Sequence, residues 1–192
     1  MDIVTLTRLN KALFRVQTEL EKLGFYDEKL EAIDVYLVTF GGAYGWQEYG
    51  SSGEIRIPVL SWSKLLDLFG RPYTSLRDIL RHEYAHAIAD THRGLFRSCR
   101  FSDAFDASHE SCVEWEFDPE CHVTEYAATS PSEDFAETFM FYVRYGGILP
   151  GRLRTPAISR KWAFIRNLAV PSGEESDDGM NQLLRKTGRE LL

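Results

Sequence analysis

Two histidines four residues apart, with a glutamate directly after the first, constrain this chain most strongly. The stretch R-H-E-Y-A-H-A-I-A-D occupies residues 81–90. Apolar residues recur around it every three or four positions, which predicts a helix over residues 74–91. Residues four apart on a helix lie on one face, roughly 6 Å apart. His82 and His86 can therefore bind one metal ion together.

Glu83 could act as a base beside a metal ion that the two histidines hold. It lies about 100° around the helix from His82, so it flanks a metal ion without having to be a ligand. Zinc lowers the pKa of a bound water to about 7, and a glutamate placed in this way takes up the water's proton. An ordinary helix can also spell this motif by coincidence. A third ligand would distinguish a zinc site from such a coincidence, because a catalytic zinc ion has three protein ligands and one open position.

The third ligand is expected in S-E-D-F-A-E-T-F, residues 132–139, within a second helix predicted over residues 132–145. Glu133 and Glu137 are again four apart and share one helix face. One of them can bind zinc, and the other can hydrogen-bond a histidine ligand and fix its tautomer. Paired acids near a helix start are also ordinary partners of the helix dipole. The pair becomes informative only together with the two histidines.

Taken together, the two stretches resemble the gluzincin group of zinc metallopeptidases. The nearer similarity is to the family of the anthrax lethal factor catalytic domain and related bacterial zinc peptidases, which carry an E-x-F-A-E helix. The resemblance implies that Glu133 is the third zinc ligand and Glu137 the acid behind a histidine. It also implies that Tyr126 steadies the tetrahedral oxyanion or protonates the leaving amine, and that Asp90 orients His86.

The likeness covers only residues 81–90 and 126–142, so the rest of the fold is predicted from apolar periodicity. Further helices are predicted over residues 6–23, 61–69 and 156–169. Strands are predicted over residues 32–40 and 54–59, and Gly41-Gly42 is expected to end the first of them. We expect one α+β, zincin-like domain over residues 1–170. It combines a small mixed sheet with the two helices of the site. Residues 171–179 are predicted to form an acidic linker and residues 180–192 a short terminal helix.

Composition and charge limit the classes of binding partner to expect. The 192 residues carry a formal charge of −7, which argues against nucleic acid or an anionic membrane as the main partner. No apolar run approaches the ~20 residues that span a bilayer, and the N-terminus is typical of a helix, not of a signal peptide. We therefore expect a cytoplasmic protein by default, with export by a non-classical route left open. A peptide or protein is the expected partner, and the oligomeric state is left open.

A long polar region, residues 94–130, holds cysteines and histidines that are not part of the gluzincin pattern. They are Cys99, His109, Cys112, Cys121 and His122. Together they could bind a second, structural zinc ion. The paired C-x-x-C spacing is absent and the number of cysteines is odd, which favours free thiols and ordinary loop histidines.

The substrate is expected to bind along the sheet. In peptidases of this group an edge strand holds the substrate backbone in extended form. Residues 54–59 are predicted to be that edge strand. Residues 41–53, with Tyr44, Trp46 and Tyr49, would form the rim of the cleft, unless these aromatic side chains pack in the core.

The sequence thus predicts a zinc-dependent metalloendopeptidase of the gluzincin type. Three alternatives stay open. The first is a regulatory or effector-type peptidase specific for one protein partner, and the second is a catalytically silent zinc-binding interaction domain. The third is an interaction protein without a metal, which predicts that His82, His86 and Glu133 lie far apart.

Overall fold

A small sheet and a larger set of helices make up residues 3–39, 43–49, 52–69 and 73–169, the part of the chain that the computed structural model describes. The elements are α1 (Leu6–Lys22), α2 (Glu28–Glu31), β1 (Asp34–Val38), β2 (Gly45–Tyr49), β3 (Ser52–Pro58), α3 (Trp62–Phe69), α4 (Leu76–Thr91), α5 (Arg93–Phe96), α6 (Cys99–Phe105), α7 (Pro131–Arg144) and α8 (Pro156–Arg166), with 3₁₀ turns at Tyr126–Thr129 and Gly151–Leu153. The α+β class is confirmed. The predicted acidic linker, the terminal helix and Gly41-Gly42 lie outside the described residues. Across those described ranges, no helix has the length and apolar content to cross a bilayer.

The three strands are ordered β1-β3-β2. β1 pairs with β3 in parallel, and β2 pairs with β3 antiparallel, so the sheet is mixed as expected. The prediction that residues 54–59 form an edge strand is wrong, because β3 lies in the centre. Pro58 pairs with Val38 at the last position of the ladder, where its missing N–H costs little. The edge next to α4 belongs to β2, a strand that the sequence patterns did not predict.

α1 supports the sheet and the first site helix from behind. The Thr5 hydroxyl accepts a hydrogen bond from the backbone N–H of Arg8 and so caps the helix. Its buried residues, Leu9, Ala12, Val16 and Leu20, recur at helical spacing and form the stripe that packs on the core. Truncation of one of the buried leucines to alanine would cost about 2–5 kcal/mol of folding free energy.

A buried carboxylate fastens α4 to α7 at one end. Asp78 is 1% exposed and accepts hydrogen bonds from the backbone N–H of Thr74 (2.9 Å), from Arg81 Nη1 (2.6 Å) and from Arg144 Nε (3.0 Å). Burial alone would raise the pKa of Asp78, but the Thr74 amide and the Arg144 guanidinium together hold it below its usual value. The start of α4, which carries the histidines, is thereby tied to α7, which carries the glutamates.

The region of residues 94–130 contains short helices at both ends, although residues 106–125 have no regular secondary structure. α5 and α6 bury the rings of Phe96, Phe101 and Phe105 against Phe135 of α7. Phe101 and Phe105 are stacked with centroids 4.5 Å apart, and Phe96 meets Phe135 edge-on at 4.6 Å. These contacts give the second half of the protein an aromatic core beside the site helices.

α8 holds the segment that leads to the 3₁₀ turn of residues 126–129. Lys161, itself 2% exposed, donates hydrogen bonds to the Cys121 carbonyl (2.6 Å) and to Asp134 Oδ2 of α7 (2.5 Å). At the N-cap of α8, the Thr155 hydroxyl donates to the Glu120 carbonyl (2.7 Å). A long stretch without regular structure is thus fixed at its far end to two helices.

Candidate metal centre

α4 and α7 bring the three predicted ligands together. His82 Nε2 lies 3.1 Å from His86 Nε2. Glu133 Oε2 lies 3.2 Å from the first of these nitrogens and 3.4 Å from the second. One potential ligand atom from each of the three residues lies within 4.8 Å of the other two. Two residues from one helix and one from its neighbour thus form a compact group that could hold a metal ion.

The donor atoms fit zinc. Ligand atoms about 2.0–2.1 Å from a tetrahedral zinc ion are about 3.3 Å apart, which matches the spacing between the two imidazole nitrogens and the carboxylate oxygen. Glu133 Oε2 is buried and has no hydrogen-bond partner among the described residues. A buried oxygen of this kind is costly unless a ligand satisfies it. A cation between the two histidines and Glu133 would do so.

The charges in this cluster depend strongly on one another. Burial by itself raises the pKa of Glu133, but the imidazoles of His82 and His86 hold it well below its usual value. Burial lowers the pKa of His82, yet the carboxylates of Glu133 and Glu137 outweigh burial and raise it to about 10. Without a metal, the cluster therefore keeps a proton on His82, which a bound cation has to displace.

Glu137 stands directly behind His82. Its carboxylate is fully buried, and Oε1 lies 2.8 Å from His82 Nδ1. The carboxylate accepts, so Nδ1 carries a hydrogen, and the Nε2 lone pair becomes available to a metal once the other proton of His82 is displaced. Tyr73 donates its hydroxyl hydrogen to the same Oε1 (2.8 Å), and Thr124 donates to Oε2 (2.9 Å). Sequence patterns could not identify Tyr73 or Thr124, since neither belongs to a helix that carries a motif.

Asp90 has a different contact from the one expected. Its Oδ2 accepts a hydrogen bond from the indole Nε1–H of Trp46 in β2 (2.6 Å). His86 Nδ1 instead lies 3.4 Å from the Ser132 hydroxyl, at the start of α7. Asp90 thus fastens β2 onto α4, because β2 brings its indole over the end of the helix. The expectation that Asp90 orients His86 does not agree with these contacts.

Glu83 lies between the ligand group and β2. It is 5% exposed, and its Oε2 accepts a hydrogen bond from the backbone N–H of Trp46 (2.6 Å). Gly45 allows this close approach, since a Cβ there would lie 3.0 Å from Glu83 Oε2 and its φ is +82°. The carboxylate is therefore held by one backbone donor on the wall of a cleft.

That cleft has a volume of about 600 Å³ and contains the ligand group. Its lining comprises Tyr44, Gly45, Trp46, Asp67, Leu68, Phe69, Tyr73, His82, Glu83, His86, Tyr126, Ser132 and Glu133. Of the aromatic residues expected at the rim, Tyr44 and Trp46 line the cleft, and Tyr44 packs edge-on against Phe69 with centroids 5.7 Å apart. Tyr49 does not line it, and its hydroxyl accepts a hydrogen bond from Arg56 (2.7 Å).

Tyr126 reaches the cleft from the 3₁₀ turn. Its ring centroid lies 6.0 Å from that of His82, and 42% of its surface is exposed. Partial burial, followed by the charges of Glu133 and Glu83, raises the pKa of its phenol above the usual value. The phenol therefore keeps its hydrogen and can act as a donor to an anion that forms in the cleft.

The cysteines and histidines of the long region do not assemble into a second site. Among the described residues, His82, His86 and Glu133 are the group of three potential ligands that the structure brings together. The cysteines are free thiols, and Cys99 and Cys112 are exposed. His109 packs against Phe96 with centroids 5.2 Å apart, and His122 packs against Trp115 at 5.6 Å. The alternative of a structural zinc ion finds no support in this part of the chain.

Comparisons of the chain with protein-family models, with curated proteins and with solved structures give no match. The resemblance to known peptidases thus consists of two short stretches, residues 81–90 and 126–142. A function has to follow from the groups that line the cleft. These are two imidazoles and a carboxylate in one cluster, a second carboxylate beside them and a protonated phenol.

Proposed function

We propose that the protein is a zinc-dependent metallopeptidase of the gluzincin type, with a zincin-like fold. The observation that carries this proposal is the convergence of His82, His86 and Glu133, whose ligand atoms lie within 4.8 Å. Two further groups support it, since Glu83 and Tyr126 line the same cleft. A metal site with a purely structural role would have no use for either of them.

A bound zinc ion supplies Lewis-acid chemistry, because it acidifies water and polarises a carbonyl group. Glu83 is the general base: its carboxylate takes a proton from the attacking water and passes it to the leaving amine. The backbone N–H of Trp46 holds this carboxylate on the cleft wall in the meantime. The Tyr126 phenol donates a hydrogen bond to the negative charge that develops on the substrate oxygen.

The outer edge of β2 is the place for a substrate backbone. The N–H of Trp46 points away from β3, because it donates to Glu83. The side-chain amide of Gln47 donates to the carbonyls of Trp46 (2.8 Å) and Tyr44 (3.2 Å). An extended peptide that adds to this edge would replace the Gln47 amide as a partner of these carbonyls. It would then run along the cleft that contains the three ligands.

The alternatives predict different results. An interaction protein without a metal requires the three ligands to lie apart, which disagrees with the spacing of 3.1–3.4 Å. A silent zinc-binding domain would bind zinc but cleave nothing. A peptidase specific for one partner has the same site chemistry and differs only in the range of its substrates.

The test measures zinc content and peptide cleavage on the same preparations. Wild type, Glu83→Gln and Glu133→Ala are analysed for zinc by mass spectrometry and assayed on denatured casein and on internally quenched random peptides. We expect about one zinc ion per chain in wild type and in Glu83→Gln, and a large loss in Glu133→Ala. Cleavage should fall by about 10²–10⁴-fold in Glu83→Gln. Retained cleavage in that variant would refute the mechanism, and a wild type that binds no zinc would refute the function.

A further inference from the structure

Glu137 collects hydrogen bonds from three separate parts of the chain. Its Oε1 lies 2.8 Å from His82 Nδ1 on α4 and accepts a second hydrogen bond, also 2.8 Å, from the hydroxyl of Tyr73 in the segment before α4. Its Oε2 accepts one from the hydroxyl of Thr124, 2.9 Å away, in the segment before the 3₁₀ turn. Glu137 itself is fully buried, and the two neutral donors are 5% and 8% exposed. The whole arrangement is screened from solvent.

The two hydroxyls restrict the rotation of the carboxylate. The last torsion of a glutamate side chain has a broad preference, so a buried carboxylate is not aimed by its own rotamer. Thr124 fixes one oxygen, and the other is then directed at His82. Tyr73 reinforces this direction, because its ring also packs edge-on against the imidazole of His82 with centroids 5.7 Å apart. Each hydroxyl therefore acts on the orientation of a metal ligand through Glu137.

Thr124 has a second contact. While its hydroxyl donates to Glu137, the same oxygen accepts a hydrogen bond from the backbone N–H of Ala127, 3.0 Å away. Ala127 is the second residue of the 3₁₀ turn that begins at Tyr126. One hydroxyl thus links the acid behind His82 to the turn that presents the phenol to the cleft.

We propose that Tyr73 and Thr124 are positioning residues that hold Glu137 so that His82 is oriented for the metal. Thr124 in addition fixes the turn of Tyr126, so that metal affinity and the position of the phenol depend on one hydroxyl. This inference rests on the proposed zinc site. It goes beyond that site, because both hydroxyls donate to Glu137, which is not itself a proposed metal ligand.

The first experiment measures the zinc dissociation constant by competition with a chromophoric chelator. Tyr73→Phe and Thr124→Val each remove a hydroxyl with little change of volume. We expect zinc binding to weaken by about 10–100-fold in each, as for other residues that orient metal ligands. Thr124→Ser keeps the hydroxyl and should restore the wild-type constant. Wild-type affinity in both Tyr73→Phe and Thr124→Val would overturn the proposal.

The chain offers a matched control for each variant. Tyr84 is a fully buried tyrosine on α4, and its hydroxyl lies 3.4 Å from Gln17 Nε2. Thr138 is a fully buried threonine next to Glu137, and its hydroxyl donates to Asp134 at 3.3 Å. Tyr84→Phe and Thr138→Val should bind zinc within about twofold of wild type. Equal weakening in these controls would mean that any buried hydroxyl has the same effect, which would overturn the positioning role.

A second measurement separates this inference from the peptidase proposal. The Nδ1–H proton of His82 should give a low-field NMR signal that exchanges slowly with water, because Glu137 accepts its hydrogen bond. We expect fast exchange in Thr124→Val and slow exchange in Thr138→Val. Equal exchange in the two would overturn the proposal whether or not zinc binds. If wild type binds zinc and the variants bind it weakly, but casein is not cleaved, the peptidase function fails while the positioning roles stand.

With zinc at saturation, the kcat of Thr124→Val should be lower than that of Tyr73→Phe, since only the loss of the Thr124 hydroxyl disturbs the turn of Tyr126. KM should change little in both. Should Thr124→Val not fold, Thr124→Ala is measured in its place for zinc affinity and kcat, and Thr124→Ser serves as the variant that restores both. An equal kcat for Tyr73→Phe and Thr124→Val would overturn the second role of Thr124.

Discussion

Gly45 offers a sharp test of Glu83, because two separate costs act at this one position. Its φ of +82° lies in the left-handed region, where an alanine costs about 1–2 kcal/mol. At this chain length each kcal/mol lowers Tm by about 2–4 °C, so Gly45→Ala should unfold between about 2 and 8 °C earlier than wild type. The new Cβ would also lie 3.0 Å from Glu83 Oε2 and 3.2 Å from Oε1. The carboxylate therefore has to move by a few tenths of an ångström.

Catalysis should respond to that movement more than stability does. A misplacement of about 1 Å costs about 10²-fold in rate, so a smaller shift of the general base should lower kcat on the order of tenfold. Zinc content should stay at the wild-type level, since Gly45 contacts no proposed ligand. The assay is casein or peptide cleavage at a temperature well below both unfolding transitions, with zinc measured on the same sample.

Gly146 supplies the matched control. Its φ is +59°, so an alanine there pays the same left-handed cost, but no atom lies within 4 Å of the added Cβ. Gly146→Ala should lose a similar amount of Tm and keep full activity. If Gly45→Ala loses no more activity than Gly146→Ala, the contact with Glu83 has no catalytic meaning and the assignment of the base is refuted.

Three further predictions follow from the same contacts. The pKa of His82 is raised to about 10, so the folded, metal-free protein keeps a proton that an unfolded histidine loses near pH 6.5. The metal-free protein should therefore lose stability as the pH rises between these two values. Zinc has to displace the proton, so zinc affinity should rise about tenfold per pH unit from about pH 7 to 9. A zinc affinity independent of pH would contradict this link between zinc binding and the proton on His82. Lys161→Met leaves Asp134 buried without its partner and should cost about 3–5 kcal/mol in a denaturant titration. Arg160→Met, which breaks an exposed pair with Asp106, should cost at most about 1 kcal/mol, and equal losses would show that burial of the pair is unimportant. Trp46→Phe removes the hydrogen bond to Asp90 and should weaken peptide binding, seen as a raised KM with unchanged zinc content; an unchanged KM would mean that the tether does not hold β2 in place.

Apolar residues at helical spacing predicted the five longer helices, α1, α3, α4, α7 and α8, but not the short helices α2, α5 and α6. α1 ends one residue before its predicted end. α4 ends where predicted but begins two residues later, and α7 begins and ends one residue earlier than predicted. The motif residues of α4 and α7 also came together as expected, because helical spacing fixes which side chains share a face. What helical spacing could not show is which parts of the chain approach these faces from outside.

The errors and omissions have this common origin. The sequence of β2 is G-W-Q-E-Y, and two of its residues are exposed. It therefore lacks the alternation of apolar and polar residues that predicts a strand. Without β2, β3 was placed at the edge. The role of Asp90 was carried over from the family resemblance, which does not show that β2 brings the Trp46 indole to this carboxylate. Tyr73 and Thr124 reach Glu137 from segments 64 and 13 residues away in sequence. Contacts of this kind depend on tertiary packing and leave no local pattern.

The contact of Lys161 with the Cys121 carbonyl and Asp134 has a consequence for the order in which the protein matures. The three proposed metal ligands all lie on α4 and α7, which precede α8 in the chain. The segment that leads to Tyr126, by contrast, is fastened by a side chain from α8. During synthesis the proposed ligands are therefore complete before α8, which supports this segment, has been made. If the proposed function is correct, a nascent chain that has bound zinc would stay a poor catalyst until α8 docks.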